Sequence, residues 1–332
     1  MPPAASNTTT KNKGLYETPR ALLLLPYAIV PLLMAVVLVD QLFLGGAVQA
    51  HAPTQTSTLV LLFIFLNMPH ITASSITFLD AEYLRHYGAR IAVPAALLAL
   101  TLLAFPTLVN TGVYLMAYVF WNVLHLVGQS IGQCRLLGAG FEKTNFLWKV
   151  VAVLITVPLH FAVIGFYFKD TALQHYVTMG ILALLVPFLV FAYLAYKPVK
   201  TQIGRLFIGA NVMTAVFSII LYFLHYPSFC ILIGRIVHDV SAFIFYISHD
   251  MNRNKVSAKN MLYRFLSFSS IPVYILCPVL ASVLIFPVSY LSYLKGQVWA
   301  MDILAFLSLM HFYTEGFAWK RDGLQRQYIR MR

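Results

Sequence analysis

The chain has 332 residues, 60% hydrophobic and 10% charged, with 23 Lys and Arg against 11 Asp and Glu. Soluble domains carry roughly a quarter charged residues, so this composition, with a mean hydropathy of +0.78, excludes an ordinary water-soluble fold. The net charge of +12 raises the question of nucleic acid, but the placement of the basic residues answers it differently.

A polar tail, 1–20, is followed by ten apolar stretches of roughly the length that crosses a ~30 Å hydrocarbon layer as a helix. They lie at 21–44, 58–79, 91–109, 112–134, 149–168, 176–196, 205–225, 228–249, 268–292 and 297–318. None alternates as the strands of a membrane β-barrel would. The first is too long for a signal-peptide core. The expected fold is therefore all-α: a polytopic transmembrane bundle of about ten spans forming one membrane domain, 21–318, closed by a basic tail, 319–332. Short links at Asn110-Thr111-Gly112 and Tyr226-Pro227-Ser228 make neighbouring spans antiparallel.

Twenty of the 23 basic residues, from Lys11 through Arg135 and Arg264 to Arg332, then fall on the side that holds the amino terminus. Lys169 and Lys295 lie on the other side, and Arg235 lies inside a span. Basic residues accumulate on cytoplasmic loops, so both termini are expected in the cytoplasm, in the inner membrane if the cell is bacterial. The partner of the basic face is then the bilayer, with no nucleic acid. Trp148, Trp299 and Trp319 fall near span boundaries, as interfacial anchors do. Asp40 is expected to reach the far interface. Cys134, Cys230 and Cys277 lack the spacing of a disulfide framework or thiolate zinc site.

Ionisable groups inside a span are costly unless they face protein, water or a ligand. His70 lies ten residues from Asp80, His125 ten from Arg135, His160 eleven from Lys149, His238 twelve from Asp250 and His311 nine from Lys320. At a 1.5 Å rise, all five sit roughly 13–18 Å below the basic face. One transmembrane histidine alone is most simply a packing residue bonded to a neighbouring helix. Five at one depth can converge, and imidazole is the commonest metal ligand, suited to iron, zinc, copper or nickel.

The expected ligands are His70, His125, His238 and His311. Glu315, four residues after His311 and on the same helix face, and Asp239 are expected to orient imidazoles or complete the coordination in a catalytic role. His160, His249, Asp250 and Gln129 are further candidates as ligands or supporting groups. Pro69 loosens the backbone before His70, while Thr72, Ser74 and Ser75 bring hydroxyls. His238-Asp239 recurs eleven residues later as His249-Asp250, close to three helical turns. His249 and Asp250, with Asp80, Glu82 and His86, form either a second centre, a proton route or a solvated face. Arg235 is expected to pair with Asp239 or Asp302. His51, His175 and His225 belong to the far side. The chain carries no Walker loop, dinucleotide fingerprint or HExxH, and none of the clustered histidine boxes of membrane desaturases.

The segments MPHITASS at His70 and LHLVGQS at His125 resemble the histidine segments of the bacterial Brp/Blh-type β-carotene 15,15′-dioxygenases, departing from them at Ile71 and Thr72. The resemblance covers short stretches only. It implies an all-helical membrane protein with dispersed histidines, non-haem iron and oxidative cleavage of a carotenoid. The expected function is a membrane-embedded, histidine-ligated non-haem iron oxygenase acting on an apolar, carotenoid- or acyl-chain-like substrate, with an electron-donor protein as a candidate partner; zinc, copper or haem are the other cofactors the histidines allow. The competing expectation is a proton-coupled transporter or channel using the His/Asp layer.

Overall fold

The computed structural model describes residues 14–51, 63–106, 108–137, 142–168, 171–255, 258–266, 271–320 and 323–332. They are helical, without strands, and only two isolated bridges join chain segments, Thr18 with Met331 and Asp80 with Asn260. The helices are α1 (Arg20–Phe43), whose first nine residues are wound as a 3₁₀ helix, α2 (Ala47–His51), α3 (Met68–Thr77) and α4 (Ala81–Ala104). Next come α5 (Gly112–Leu136), α6 (Glu142–Phe168), α7 (Thr171–Tyr196) and α8 (Gln202–Phe223). The series closes with α9 (Pro227–Arg253), α10 (Met261–Phe265), α11 (Val273–Ser289) and α12 (Val298–Ala318).

Seven of these, α1, α4, α6, α7, α8, α9 and α11 with its π-helical extension, are long and apolar enough to cross a membrane. The sequence led to an expectation of ten. Helices α5 and α12 have 25 and 21 residues, but their histidines, glutamine, asparagine and carboxylates dilute the hydropathy. The expected span 58–79 is represented by a π-helical turn at Phe63–Asn67 and the ten-residue α3; its earlier residues, like the tail 1–13, lie outside the described residues.

Polarity is arranged inside out. Leu103 and Phe43 are 79% and 77% exposed, whereas His70, Asp239 and His311 are at most 1% exposed. Large apolar side chains facing outward over a polar interior are what a lipid-embedded bundle presents. Helix α9 is the axis: 56% of its apolar window is buried, against 11–44% in the other six. It packs against α1, α3, α5, α6, α8 and α11. Helix α3 is enclosed too, with all but one of its residues buried, between α9, α11 and α12.

Local sequence explains the ends. Thr111, Thr201 and Asp80 cap α5, α8 and α4 by accepting from the backbone N–H of Tyr114, Gly204 and Glu82, and Pro227 occupies the first turn of α9, where no N–H is needed. The three-residue link before it, 224–226, is closed by His225 at φ 60°. Asp40 corrects its expected place: it is fully buried, accepting from the N–H groups of Val48 and Gln49 and from the Tyr226 hydroxyl. Trp148 is likewise 2% exposed, packed in the core where an interfacial anchor was expected, while Trp299 is 52% exposed.

The segment leading into α1 meets the carboxy-terminal segment. Thr18 N–H donates to Arg330 C=O, and Arg332 N–H returns to Thr18 C=O. Asn252 ties both segments to α9 through Tyr16 and Tyr328. At the same end of α9, Arg253 makes a two-pronged contact with Asp80 at 2.7 and 3.0 Å and reaches Glu82 at 2.6 Å. Burial alone would raise the Asp80 carboxyl, but the hydrogen bonds from Arg253 and from the Glu82 N–H outweigh it and hold it below the usual carboxylate range. A carboxyl depressed in the folded state stabilises above its unfolded pKa and ceases to do so as pH falls through the folded value. Detergent-solubilised protein is therefore expected to lose melting temperature below about pH 4, with a flatter profile in Asp80→Asn. Arg253→Met is expected to cost about 3 kcal/mol, because it strands a buried carboxylate. Thermal melts that match wild type in both variants would contradict this role.

Candidate metal centre

Four helices each deliver one imidazole to a common point: His70 from α3, His125 from α5, His238 from α9 and His311 from α12. One ligand atom from each lies within 4.8 Å of all the others. The Nε2 of His311 is 3.2 Å from that of His70 and 3.1 Å from that of His125. Round the ring, the centroids are 4.8 Å (His70–His311), 4.7 Å (His311–His125), 4.9 Å (His125–His238) and 5.0 Å (His238–His70), every pair edge to face. Metal–nitrogen bonds of about 2.0–2.1 Å at tetrahedral angles place nitrogens about 3.3 Å apart, so the two measured contacts have the spacing of ligands round one ion.

The outer ring nitrogens fix which atom faces inward. Ser74 Oγ donates to Ile71 C=O at 2.8 Å and lies 2.7 Å from His311 Nδ1. Its one proton is committed to the carbonyl, so it accepts Nδ1–H, leaving the lone pair of His311 on Nε2. His70 Nδ1 is 3.0 Å from Asp239 Oδ1, and this carboxylate favours a proton on that nitrogen. The approach is too oblique for a hydrogen bond, and neither Asp239 oxygen accepts one from any side chain or backbone group. In the tautomers with both lone pairs on Nε2, the two nitrogens 3.2 Å apart repel, and a carboxylate 1% exposed without a donor is a costly anion. A cation among the four rings relieves both. The four histidines could hold a metal ion.

Glu315, one helical turn beyond His311, puts Oε2 3.6 Å from His125 Nε2, too long for a direct bond. Its Oε1 accepts from the Tyr246 hydroxyl and from Trp319 Nε1 at 3.1 Å. Gln129 donates weakly to His238 C=O at 3.4 Å, and its buried Oε1 has no donor. Tyr246 was not singled out in the sequence, although it lies seven residues after Asp239, two turns along the same face. Trp319 was read only as an anchor, yet it sits four residues after Glu315.

Other candidates lie elsewhere. His160 bonds Thr156 C=O in its own helix at 2.9 Å and lines a mainly apolar cavity with Trp148, Phe188, Asn211 and Cys230. Val127, Gly234 and Val237, neighbours in sequence of His125 and His238, form another wall of that cavity. His249 and Asp250 bond one another at 2.7 Å in a separate buried cluster. Asp80 and Glu82 are engaged by Arg253, and His86 is exposed. Arg235 donates to Asn67 at 2.7 Å, a partner absent from the sequence expectation. His51, His175 and His225 are exposed.

The chain matches no protein-family model, no curated protein and no solved structure. The geometry alone makes a prediction. Removing the groups behind the rings, in Ser74→Ala and Asp239→Asn, is expected to weaken binding of added Co²⁺, followed by its visible absorption, by about 10–100-fold. His238→Ala is expected to abolish it. Unchanged affinity in Asp239→Asn would contradict its orienting role.

Proposed function

We propose that the chain is a multi-pass membrane metalloenzyme, a non-haem iron oxygenase acting on an apolar, carotenoid- or acyl-chain-like molecule. The observation that carries the reading is the convergence of four imidazoles from four helices, backed by the donor-less carboxylate of Asp239. Imidazole sets suit iron, zinc and copper; iron held by His70, His125, His238 and His311 would supply the one-electron chemistry that dioxygen requires. The similarity of the segments around His70 and His125 to the Brp/Blh-type dioxygenases favours the same choice.

The chain's own residues have separable tasks. His70, His125, His238 and His311 bind. Ser74 and Asp239 hold two rings in the tautomer that presents Nε2. Glu315, kept from the ligand set by its bonds to Tyr246 and Trp319, stands 3.6 Å from His125 Nε2 as a proton acceptor beside the reacting region. The apolar helices around the centre exclude water, and the cavity walled by Val127, Gly234 and Val237 supports an uncharged, hydrocarbon-rich substrate.

Ten crossings with both ends in the cytoplasm fit the same reading. Seven, the number among the described residues, is odd, yet the segment just before α1 hydrogen-bonds to residues 330–332. Adding α5, α12 and the expected span 58–79, to which α3 belongs, makes ten. Because the three native cysteines are buried, single cysteines at Lys255 and Lys295 report topology cleanly. An impermeant maleimide is expected to label the first only from the cytoplasmic side and the second only from outside. Labelling of both from one side would contradict the ten-span arrangement.

The activity test uses iron-loaded protein in liposomes containing β-carotene or polyunsaturated acyl chains. Dioxygen uptake with loss of one of these substrates is expected in wild type and not in His125→Ala. Iron-free wild-type protein that instead carries protons across the vesicle membrane would overturn the oxygenase in favour of proton-coupled transport.

A further inference from the structure

Eleven residues along α9 from the metal centre lies a second buried cluster. His249 bonds Asp250 through Nδ1 at 2.7 Å and Tyr83 through Nε2 at 2.7 Å, and Asp250 also accepts from the Tyr263 hydroxyl. Tyr83, His249 and Asp250 are at most 1% exposed. The carboxylate holds a proton on Nδ1, so Nε2 is the acceptor and the phenolic proton of Tyr83 already points at a base. That is the arrangement a tyrosine needs to give up an electron without creating an unpaired charge: the electron leaves, and the proton shifts along one hydrogen bond.

The space between this cluster and the metal centre is bridged by aromatic rings. Tyr246 and Trp319, both hydrogen-bonded to Glu315, lie 5.7 Å apart between centroids. Trp319 is 5.8 Å from the His249 ring, which is 5.6 Å from Tyr83 and 5.8 Å from Tyr328. The Arg253 guanidinium sits 5.0 Å from each of these two tyrosine rings. Tyr328 is only half-buried, and Lys255, Lys259, Arg264 and Lys320 are exposed.

We propose that Tyr83, His249 and Asp250 form a proton-coupled redox station, joined through Trp319 and Tyr246 to the histidine centre, that passes single electrons to it from an acidic electron-carrier protein docking at the basic end. The inference rests on a redox-active metal at that centre. In each transfer Tyr83 loses one electron toward the oxidised metal and its proton moves to His249, giving a neutral tyrosyl radical and an imidazolium. The reduced carrier returns one electron through Tyr328, and the proton moves back from His249 to the phenolate oxygen. The basic face gives an acidic carrier its docking surface and raises its rate of encounter.

The test is flash photolysis of detergent-solubilised protein with ruthenium tris-bipyridine and a cobalt(III) ammine as terminal electron acceptor, read by electron paramagnetic resonance. In metal-free wild type, light is expected to give a persistent tyrosyl radical, lost in Tyr83→Phe. With ferrous iron bound, the radical is expected to vanish as ferric iron appears, and Trp319→Phe, compared at equal iron loading, is expected to slow that step severalfold. A structural role for these rings would leave the radical and its decay unaltered. Bound iron with the same radical yield in Tyr83→Phe, or the same decay in Trp319→Phe, overturns the relay while leaving the metal centre standing. Wild-type protein that binds no iron yet still forms the Tyr83 radical overturns the metal reading, and the relay loses its destination.

Discussion

Nearly everything in this molecule follows from the cost of placing four imidazoles and a carboxylate at one level of an interior that holds no bulk water. Groups of this kind persist there only if each is satisfied by another. The four rings bring their inner nitrogens within about hydrogen-bond distance of one another, a site that could hold a cation, and Asp239 behind His70 adds a buried negative charge. The packing reflects this. Helix α3 is enclosed on all sides, α9 is the most deeply buried of the long apolar helices, and α5 and α12 are long helices made less apolar by the side chains they deliver to the centre.

Helix α9 carries two tiers with one spacing. His238-Asp239 and His249-Asp250 lie eleven residues apart, about 16 Å along the axis. The upper pair joins the histidine ring. The lower pair is fully hydrogen-bonded to Tyr83 and Tyr263 and stands beside the Arg253–Asp80 contact and the joined terminal segments. One tier lacks charge balance and calls for a ligand; the other is balanced and is suited to moving a proton without gaining or losing one. Glu315, Tyr246 and Trp319 connect them.

Depth was legible in the sequence because the helical rise is constant, so counting residues from the basic edge puts His70, His125, His238 and His311 in one layer. Azimuth was less legible. His160 has the same depth, but it points to its own helix's carbonyl at Thr156 and to a cavity on the other side of α5 and α9. Boundary position misled for Trp148, which lies near a span end and is nonetheless core, since depth does not say whether a ring faces lipid or protein. Asp40 was read as surface-seeking because a lone carboxylate usually is; the two N–H groups and the Tyr226 hydroxyl that hold it come from a loop and from a residue far along the chain. Hydropathy separates seven helices, α9 among them despite its two His-Asp pairs, and leaves out α5 and α12, where polar side chains lower the mean hydropathy. The partners Asn67, Ser74 and Tyr246 are ordinary residue types, and only the fold brings each to its charged or imidazole neighbour.

X-ray absorption at the metal edge of protein purified from iron-supplemented cells tests the central claim most directly. The account predicts a nitrogen shell at about 2.0–2.2 Å with the multiple-scattering pattern of several imidazoles, diminished in His311→Ala. A shell of sulfur, a shell without imidazole scattering, or no metal edge in intact wild-type protein would contradict it.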